Sequence, residues 1–207
     1  MKIVILGPQG SGKGTQADLL AQKKGLIHIS LGDVLRDEVK RHGPYADIVK
    51  KAMDEGKLVP REINNKILEN VLKRYPDNFI LDGYPRNERQ ATFLLNLTDV
   101  DKVIALNISD EVAINRISKR LICTSNHKVF IEDKITAKDI HDCTASGGEI
   151  VKRDDDKPEN VLNRLSLYHK ENDLVLKVFK DKKVDIIHVD ASSDIDSVFE
   201  DILKKLK

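Results

Sequence analysis

The fold is decided by the apolar run Lys2-Ile-Val-Ile-Leu6 and the segment directly after it, Gly7-Pro-Gln-Gly-Ser-Gly-Lys-Gly-Thr15. The first predicts a buried strand, and the second predicts a glycine-rich loop that leads into a helix. Gly7, Gly12 and Lys13 have the spacing of a phosphate-binding loop, in which backbone N–H groups converge on phosphate oxygens and the lysine reaches the outer phosphates. The residue after the lysine is glycine, where the general pattern has Ser or Thr. The stretch therefore predicts a site for a nucleoside triphosphate.

The size and charge of the chain narrow its class. With 207 residues it can bury one substantial core, so we expect one main domain. Charged residues make up 33% of the chain but the formal net charge is only +1, which gives no reason to expect nucleic acid or an anionic membrane as a partner. No apolar run approaches the roughly 20 residues that span a bilayer, and the chain begins with a core strand instead of a signal peptide. We expect a cytoplasmic monomer.

Apolar, β-branched runs alternate with long helical patterns along the chain. The runs cover residues 2–6, 78–81, 102–108 and 184–189, with 27–29 as a shorter candidate. Such alternation is typical of a parallel sheet that is covered by helices on both faces. The sequence therefore predicts an α/β fold.

Two stretches interrupt this alternation. Residues 30–61 have a polar, helical pattern with breaks at Gly43-Pro44 and Gly56, which predicts a small helical insert. Residues 121–152 contain short β-like pieces and no helical periodicity beyond a turn or two, which predicts a lid or a binding loop. The expected core then consists of residues 1–29, 62–120 and 153–207.

Charged residues are expected at the edge of the sheet beside the phosphate loop. The run Asn78-Phe-Ile-Leu-Asp82 ends in an aspartate, which would place a carboxylate where it can hold magnesium, often through water. Arg86 follows at the carboxyl edge of the same strand, where ligands bind in such sheets. We expect an anionic substrate there.

Six arginines lie on segments that border the inserts, the strand end and the lid. They are Arg36, Arg86, Arg116, Arg120, Arg153 and Arg164. Each one alone is typical of a solvated surface. Together, opposite a phosphate loop, they favour phosphoryl transfer, because its barrier is lowered mainly by positioning and by cations around the charged oxygens. Arginine also has a planar fork that lysine lacks.

Several segments, in order along nearly the whole chain, resemble the motif set of adenylate kinases. They are Gly7-Pro-Gln-Gly-Ser-Gly-Lys-Gly-Thr-Gln16, Ile29-Ser-Leu-Gly-Asp-Val-Leu-Arg36, Gly56-Lys-Leu-Val59, Asp82-Gly-Tyr-Pro-Arg86 with Gln90, and Arg153-Asp-Asp-Asp156 through Arg164. Their order and spacing make the match far more specific than a phosphate loop alone, and the lid resembles the long form of the family. The resemblance implies a P-loop NTPase-like sheet with an NMP-binding insert and a lid, and the reversible, magnesium-dependent transfer of the ATP γ-phosphoryl group to AMP.

The resemblance also implies residue roles. The residues implied for ATP are Gly10, Ser11, Gly12, Lys13, Gly14, Thr15, Arg116, Arg120, Val129, Phe130 and Ser193. Those implied for AMP are Leu31, Arg36, Lys57, Leu58, Val59, Gly83, Tyr84, Pro85, Arg86, Gln90, Arg153 and Arg164. The implied catalytic residues are Lys13, Arg86, Arg120, Arg153 and Arg164 around the transferring group, with Asp82 orienting hydrated magnesium. No protein nucleophile is needed, because an AMP phosphate oxygen attacks directly.

One departure from the family pattern leaves the second substrate open. Leu31 stands where the family usually has a threonine beside the AMP base. AMP is the favoured substrate, and the alternatives are GTP with AMP, or ATP with UMP or CMP. A regulatory nucleotide switch is the alternative from another class. The sequence has no guanine-reading Asn-Lys-x-Asp and no Asp-x-x-Gly after the second strand, and the arginines and the lid would have no purpose in a switch.

The two cysteines lie in the lid. Long-lid relatives carry either four zinc ligands or a polar network at the positions that read Cys123, Asn126, Cys143 and Ser146 here. We expect the cysteines to be free or metal-bound rather than bridged. Two thiolates are too few for a closed zinc site, although His127 or His141 could complete one. A metal-free lid is favoured, with the thiols as small apolar fillers. His28, His42, His169 and His188 read as surface or core residues.

Overall fold

The computed structural model describes residues 1–206, and its strands form two sheets. The strands are β1 (Lys2–Leu6), β2 (Ile27–Ser30), β3 (Phe79–Asp82), β4 (Lys102–Asn107), β5 (Arg120–Cys123), β6 (Val129–Ile131), β7 (Ile150–Val151) and β8 (Asp185–Asp190). The main sheet has the order β2-β3-β1-β4-β8 and every pairing in it is parallel. The α/β fold with a parallel sheet is thus confirmed.

Helices follow the strands of the main sheet. They are α1 (Lys13–Lys24), α2 (Leu31–Lys40), α3 (Ala46–Asp54), α4 (Arg61–Arg74), α5 (Glu88–Leu97), α6 (Asp110–Ser118), α7 (Ala137–Ala145), α8 (Pro158–Asp181) and α9 (Ile195–Lys205). Ser30, Asn87 and Ser109 begin α2, α5 and α6 with side-chain oxygens that accept a hydrogen bond from a backbone N–H of the first turn. Within residues 1–206 no helix combines the length and the apolar character that crossing a bilayer requires.

The main sheet is buried on both faces because alternate side chains of a strand point to opposite sides. Ile3 and Ile5 of β1 belong to one apolar cluster, with Leu20 of α1 and Ile202 of α9. Val4 belongs to a second cluster, with residues of α2–α5 and α8. This double burial explains why β1 and β3 read as continuous apolar runs. Because the two faces of the sheet are covered, a ligand can reach it only at the ends of the strands, and in such folds it binds at their carboxyl ends.

The segment between α6 and α8 forms a small unit of its own. Strands β6, β5 and β7 pair in an antiparallel sheet, and α7 follows β6 after a short 3₁₀ turn. The sequence pattern indicated no helix of this length here. Helix α7 begins with a capping box, in which Thr136 and Asp139 satisfy each other's backbone N–H groups. Cys143 anchors the helix in an apolar cluster with Phe130.

Cys123 and Cys143 form a disulfide bond, so the expectation of free or metal-bound cysteines is wrong. The end of β5 and the last turn of α7 bring the two Cα atoms within 5.8 Å. Both residues are almost fully buried, with exposures of 0% and 2%. A separation of 20 residues along the chain gave no sign of this proximity.

The histidines offered as further zinc ligands lie elsewhere. His127 contacts Asp37 of α2, with 3.1 Å between Nε2 and Oδ1, and His141 is an exposed neighbour of Asp142. Within residues 1–206 no group of three or more His, Cys, Asp or Glu side chains is arranged to hold a metal ion. The lid cysteines belong to the apolar cluster with Phe130, and their sulfurs are bonded to each other.

We expect loss of the disulfide to loosen the lid. Closing a loop of this length stabilises a fold by about 3 kcal/mol, mainly by restricting the unfolded chain. The paired substitutions Cys123→Ser and Cys143→Ser, or dithiothreitol, should therefore speed amide hydrogen exchange in β5 and α7. A chelator on untreated protein is the control and should leave exchange unchanged. Faster exchange with the chelator and not with the reductant would contradict the prediction.

Candidate active site

A cavity of about 850 Å³ opens at the carboxyl ends of β1 and β3. The phosphate loop forms one side of it, segments 30–36 and 56–59 form another, and the lid lies across it. Its lining includes every site residue predicted from the sequence except Gln90 and Phe130. The structure thus brings together groups that are far apart in the chain.

Phe130 and Gln90 do not line the cavity because each is buried elsewhere. Phe130 lies in the lid's apolar cluster, while its neighbour Val129 lines the cavity. Adjacent residues of a strand point to opposite faces, so both cannot face one ligand. Gln90 is buried behind the lining, where its Oε1 accepts a hydrogen bond from the backbone N–H of Arg86 at 2.7 Å. In this arrangement Gln90 supports the loop that carries Arg86.

The phosphate loop depends on glycine backbone conformations. Gly10 has φ 85°, and a Cβ there would lie 2.7 Å from the carbonyl oxygen of Ala113. Gly12, at φ 84°, begins α1 in the left-handed region. The N-terminus of α1 and the loop N–H groups therefore provide an anion site.

Lys13 bends back over this loop. Its Nζ donates hydrogen bonds to the carbonyl oxygens of Gly7 and Pro8, both at 2.8 Å. Desolvation in the cavity, together with the nearby Arg86 and Arg120, outweighs the opposing effect of Asp82 and lowers the pKa of Lys13 to about 8. A phosphate placed here would favour the charged ammonium, because it supplies the missing negative charge.

Asp82 ends β3 beside the loop, and its Oδ1 is buried without a hydrogen-bond partner. Its Oδ2 lies 3.9 Å from His28 Nε2. Burial raises the pKa of Asp82, but His28 and Lys13 outweigh this effect and hold it below the ordinary value. The carboxylate is therefore charged, and one of its oxygens has no hydrogen-bond partner.

His28 is a site residue that the sequence analysis missed. Its Nδ1 lies 2.6 Å from Asp18 Oδ1. Burial alone would lower the pKa of His28, but Asp18 and Asp82 together raise it to about 9. The parallel pairing of β2 with β3 brings His28 to Asp82. Nothing in the local pattern indicates that pairing, so only strand order could have revealed it.

Arginines surround the far side of the cavity. Arg36 contacts Asp33, and Arg164 NH1 donates to Asp155 Oδ2 at 2.7 Å. Arg86 is reached by solvent from the cavity, and its Nε donates to the carbonyl oxygen of Gly83 at 2.9 Å. Desolvation in the cleft and the nearby Arg164 lower the pKa of Arg86 to about 10.

Arg153 and Arg120 extend this cluster toward the lid. Desolvation, then Arg36 and Arg120, lower the pKa of Arg153 to about 10. Arg120 binds Asp156 through two of its nitrogens, with 2.8 Å between Nε and Oδ2. The mutual repulsion of these cations is only partly offset by the nearby carboxylates. The cavity is therefore suited to bind several phosphate groups at once.

Arg116 is fixed against the loop between β8 and α9. Its guanidinium donates to the carbonyl oxygens of Ala191, Ser192 and Ser193 at 2.8, 3.0 and 2.9 Å. Three hydrogen bonds hold the planar group in one orientation. An aromatic base stacked on it would meet a rigid surface.

Asp155 should stabilise the fold in a pH-dependent way. Burial raises the pKa of this aspartate, but Arg164 and Arg36 outweigh it and lower the pKa to about 2. Because this value lies below the ordinary 3.8, the stabilisation is complete at neutral pH and is lost as pH falls through 3.8 toward 2. Asp155→Asn should lower the free energy of unfolding by on the order of 2 kcal/mol at pH 7.

Urea unfolding without nucleotide, from pH 7 down to pH 3, checks this prediction. The difference between Asp155→Asn and the unmodified protein should shrink below about pH 4, where the carboxylate begins to be protonated in the unfolded chain while it is still charged in the folded protein. Asp154→Asn is the matched control, because Asp154 is the exposed neighbour. A constant difference over the whole range would contradict the assigned pKa shift.

Comparison with known proteins gives a consistent picture. The family model described as adenylate kinase matches residues 5–184. An adenylate kinase of Methanosarcina mazei is 39% identical over 209 residues, which cover 98% of this chain and 96% of that protein. An adenylate kinase of Petrotoga mobilis is 35% identical over 212 residues, which cover 100% of this chain and 98% of that protein.

Proposed function

The chain belongs to the adenylate kinase family and is an ATP:AMP phosphotransferase, and we propose here which of its residues perform each part of the reaction. One cavity is lined both by the phosphate loop and by a second group of cations, and this observation supports the proposal. One anion site would hold a donor, and two facing anion sites suit transfer between a donor and an acceptor. Because one chain supplies the whole lining, we propose that the monomer is active.

We assign the phosphate-loop side to ATP. Backbone N–H groups of residues 10–15 would bind its phosphates, and Lys13 would leave the carbonyl oxygens of Gly7 and Pro8 for the outer phosphates. The adenine would stack on Arg116, with Val129 covering it from the lid. Phe130 is then a lid-core residue and not a contact of the base.

We assign the other side to AMP. Arg36 and Arg86 would bind its phosphate, with Gly83, Tyr84 and Pro85 shaping the loop between them. Leu31 and Val59 are buried apolar residues that line the cavity there, with Lys57 and Leu58 beside them. An apolar floor at Leu31 suits the face of a purine, and Gln90 would act from behind the lining.

Asp82 fits a role toward magnesium. Its charged carboxylate lies beside the loop that would hold the ATP phosphates, and one of its two oxygens is buried without a partner. A hydrated Mg²⁺ prefers such an oxygen and would neutralise part of the phosphate charge when bound. His28, 3.9 Å from the other oxygen, would help to keep the carboxylate charged.

The chemical step needs no protein nucleophile. An AMP phosphate oxygen forms a bond to the γ-phosphorus of ATP while the bond to the bridging oxygen of ADP breaks. Negative charge builds up on the equatorial oxygens and the leaving oxygen. Lys13, Arg120, Arg153 and Arg164 would stabilise it as preorganised cations.

We propose that segments 30–61 and 121–152 close over the nucleotides to exclude water. In this structure the two segments already touch, since Lys40 Nζ donates to the carbonyl oxygen of Thr124 at 3.3 Å and His127 reaches Asp37. Two adenosines joined through five phosphates should slow hydrogen exchange in both segments. Strand β8, which does not line the cavity, serves as the internal reference. Protection limited to the phosphate loop would contradict this domain division.

The test of the function is a steady-state assay of ADP formation. ATP is combined with AMP, CMP, UMP or GMP, and then GTP is combined with AMP. The highest kcat/KM is expected for ATP with AMP. Leu31→Thr, measured on the same panel, shows how far the apolar residue sets the choice of base. A higher kcat/KM with a pyrimidine monophosphate would overturn the assignment of AMP.

A further inference from the structure

Gln9 of the phosphate loop has a contact that the reaction scheme above does not use. Its Nε2 donates a hydrogen bond to Asp156 Oδ1 at 2.9 Å, across 147 positions of the chain. Asp156 lies between the lid strand β7 and helix α8. This hydrogen bond therefore connects the loop assigned to the ATP phosphates with the segment where the lid rejoins the core.

Asp156 also holds Arg120. The arginine donates to both carboxylate oxygens, and the Asp156 side chain is only 7% exposed. Gln9 and Arg120 therefore share the Oδ1 atom of one carboxylate. Because a carboxylate only accepts hydrogen bonds, the amide nitrogen of Gln9 must face it, which fixes the orientation of the amide.

This orientation leaves the oxygen of the Gln9 amide unpaired. The Oε1 atom of Gln9 is buried and has no hydrogen-bond donor. An unpaired buried polar atom destabilises the folded protein, because it loses its hydrogen bonds to water. The stability of the fold therefore does not account for a glutamine at position 9. Its hydrogen bond to Asp156 is better explained by a role in the reaction.

We propose that Gln9 is a positioning residue for phosphoryl transfer, which acts through Asp156 on Arg120. The proposal rests on the function proposed above. When loop and lid adopt the arrangement seen here, Gln9 and Arg120 hold Asp156 from two sides, so the guanidinium is held in one place beside the phosphate loop. Without the Gln9 donor, Asp156 is tethered from the lid side alone, and Arg120 gains freedom to leave the transferring phosphoryl group.

The first test compares Gln9→Ala and Gln9→Glu in steady-state kinetics with ATP and AMP. Gln9→Ala should lower kcat by about tenfold, as expected for a less well positioned charge, with KM for AMP unchanged. Gln9→Glu should lower kcat further, because its carboxylate repels Asp156. Melting temperatures of the nucleotide-free variants control for folding. Wild-type kcat in a folded Gln9→Ala variant would overturn the proposal.

The second test separates action through Asp156 from a direct contact with the nucleotide. In an Asp156→Ala background, adding Gln9→Ala should cause no further loss of kcat, because the link is already broken. An equal loss in both backgrounds would show that Gln9 acts on the phosphates itself and would overturn the proposal. The two proposals fail in different experiments. If the unmodified protein did not use AMP, the proposed function would be wrong, whereas the proposal for Gln9 is tested only by comparing the variants with an active unmodified protein.

Discussion

Lys13→Met should lower kcat/KM by on the order of 10² or more, which is the loss expected when a preorganised charge is removed from a transition state. The Nζ of Lys13 lies over the phosphate loop within 2.8 Å of two carbonyl oxygens, and desolvation in the cavity lowers its pKa to about 8. A desolvated ammonium group interacts most strongly with negative charge that develops next to it. Methionine retains much of the length of the side chain without its charge.

Initial rates of ADP formation, with each nucleotide varied in turn, check the effect of Lys13→Met. Lys23→Met is the matched control, because Lys23 lies in the last turn of the same helix and is exposed. The fold of Lys13→Met should be retained, since the substitution removes a poorly solvated charge. Turnover like that of the unmodified protein in a folded variant would overturn the role of Lys13.

Arg86→Ala is expected to have an effect of similar size, on the order of 10² in kcat/KM. The guanidinium is oriented by its hydrogen bond to the Gly83 carbonyl oxygen, and Asp82 and Asp155 only partly offset its desolvation and the repulsion from Arg164 and Arg36. Arg86→Lys should recover part of the rate. It restores the charge, but a single ammonium cannot make two parallel hydrogen bonds to a phosphate.

The assay for Arg86 varies AMP at saturating ATP and compares kcat with KM. A role in the transition state lowers kcat, whereas a role in binding alone raises only KM. Arg89→Ala is the control, because Arg89 is an exposed arginine three residues away. If Arg86→Ala and Arg89→Ala behaved alike, Arg86 would have no part in the reaction.

The predicted site shows which kinds of contact a sequence can reveal. Lys13, the loop glycines and Asp82 follow from local rules, because a strand, a tight loop and a helix N-terminus place their groups within a few residues of each other. The arginines could be assigned to one cavity because each borders an element that ends at the same edge of the sheet. Their separate partners, such as Asp155 for Arg164, were not predicted.

Several features escaped the sequence analysis for one common reason. His28 reaches Asp82 through the pairing of β2 with β3. Phe130 faces the lid core because the packing of the lid decides which face of β6 is buried. The disulfide bond depends on the packing of α7 against β5. In each case the partner is chosen by packing between distant segments, and periodicity along the chain carries no information about that choice.

The α/β class and the phosphate loop follow from the sequence, because hydrophobic periodicity and glycine backbone freedom act over a few residues. The reaction type was indicated by the arginines and by the ordered motifs that resemble those of adenylate kinases. The tertiary structure alone decided that the lid cysteines are bonded, that His28 stands beside Asp82, and that Gln9 reaches Asp156 across 147 positions. The physical reason is the range of the forces. Backbone conformation is set locally, whereas burial and charge pairing are settled only when distant segments share one interior.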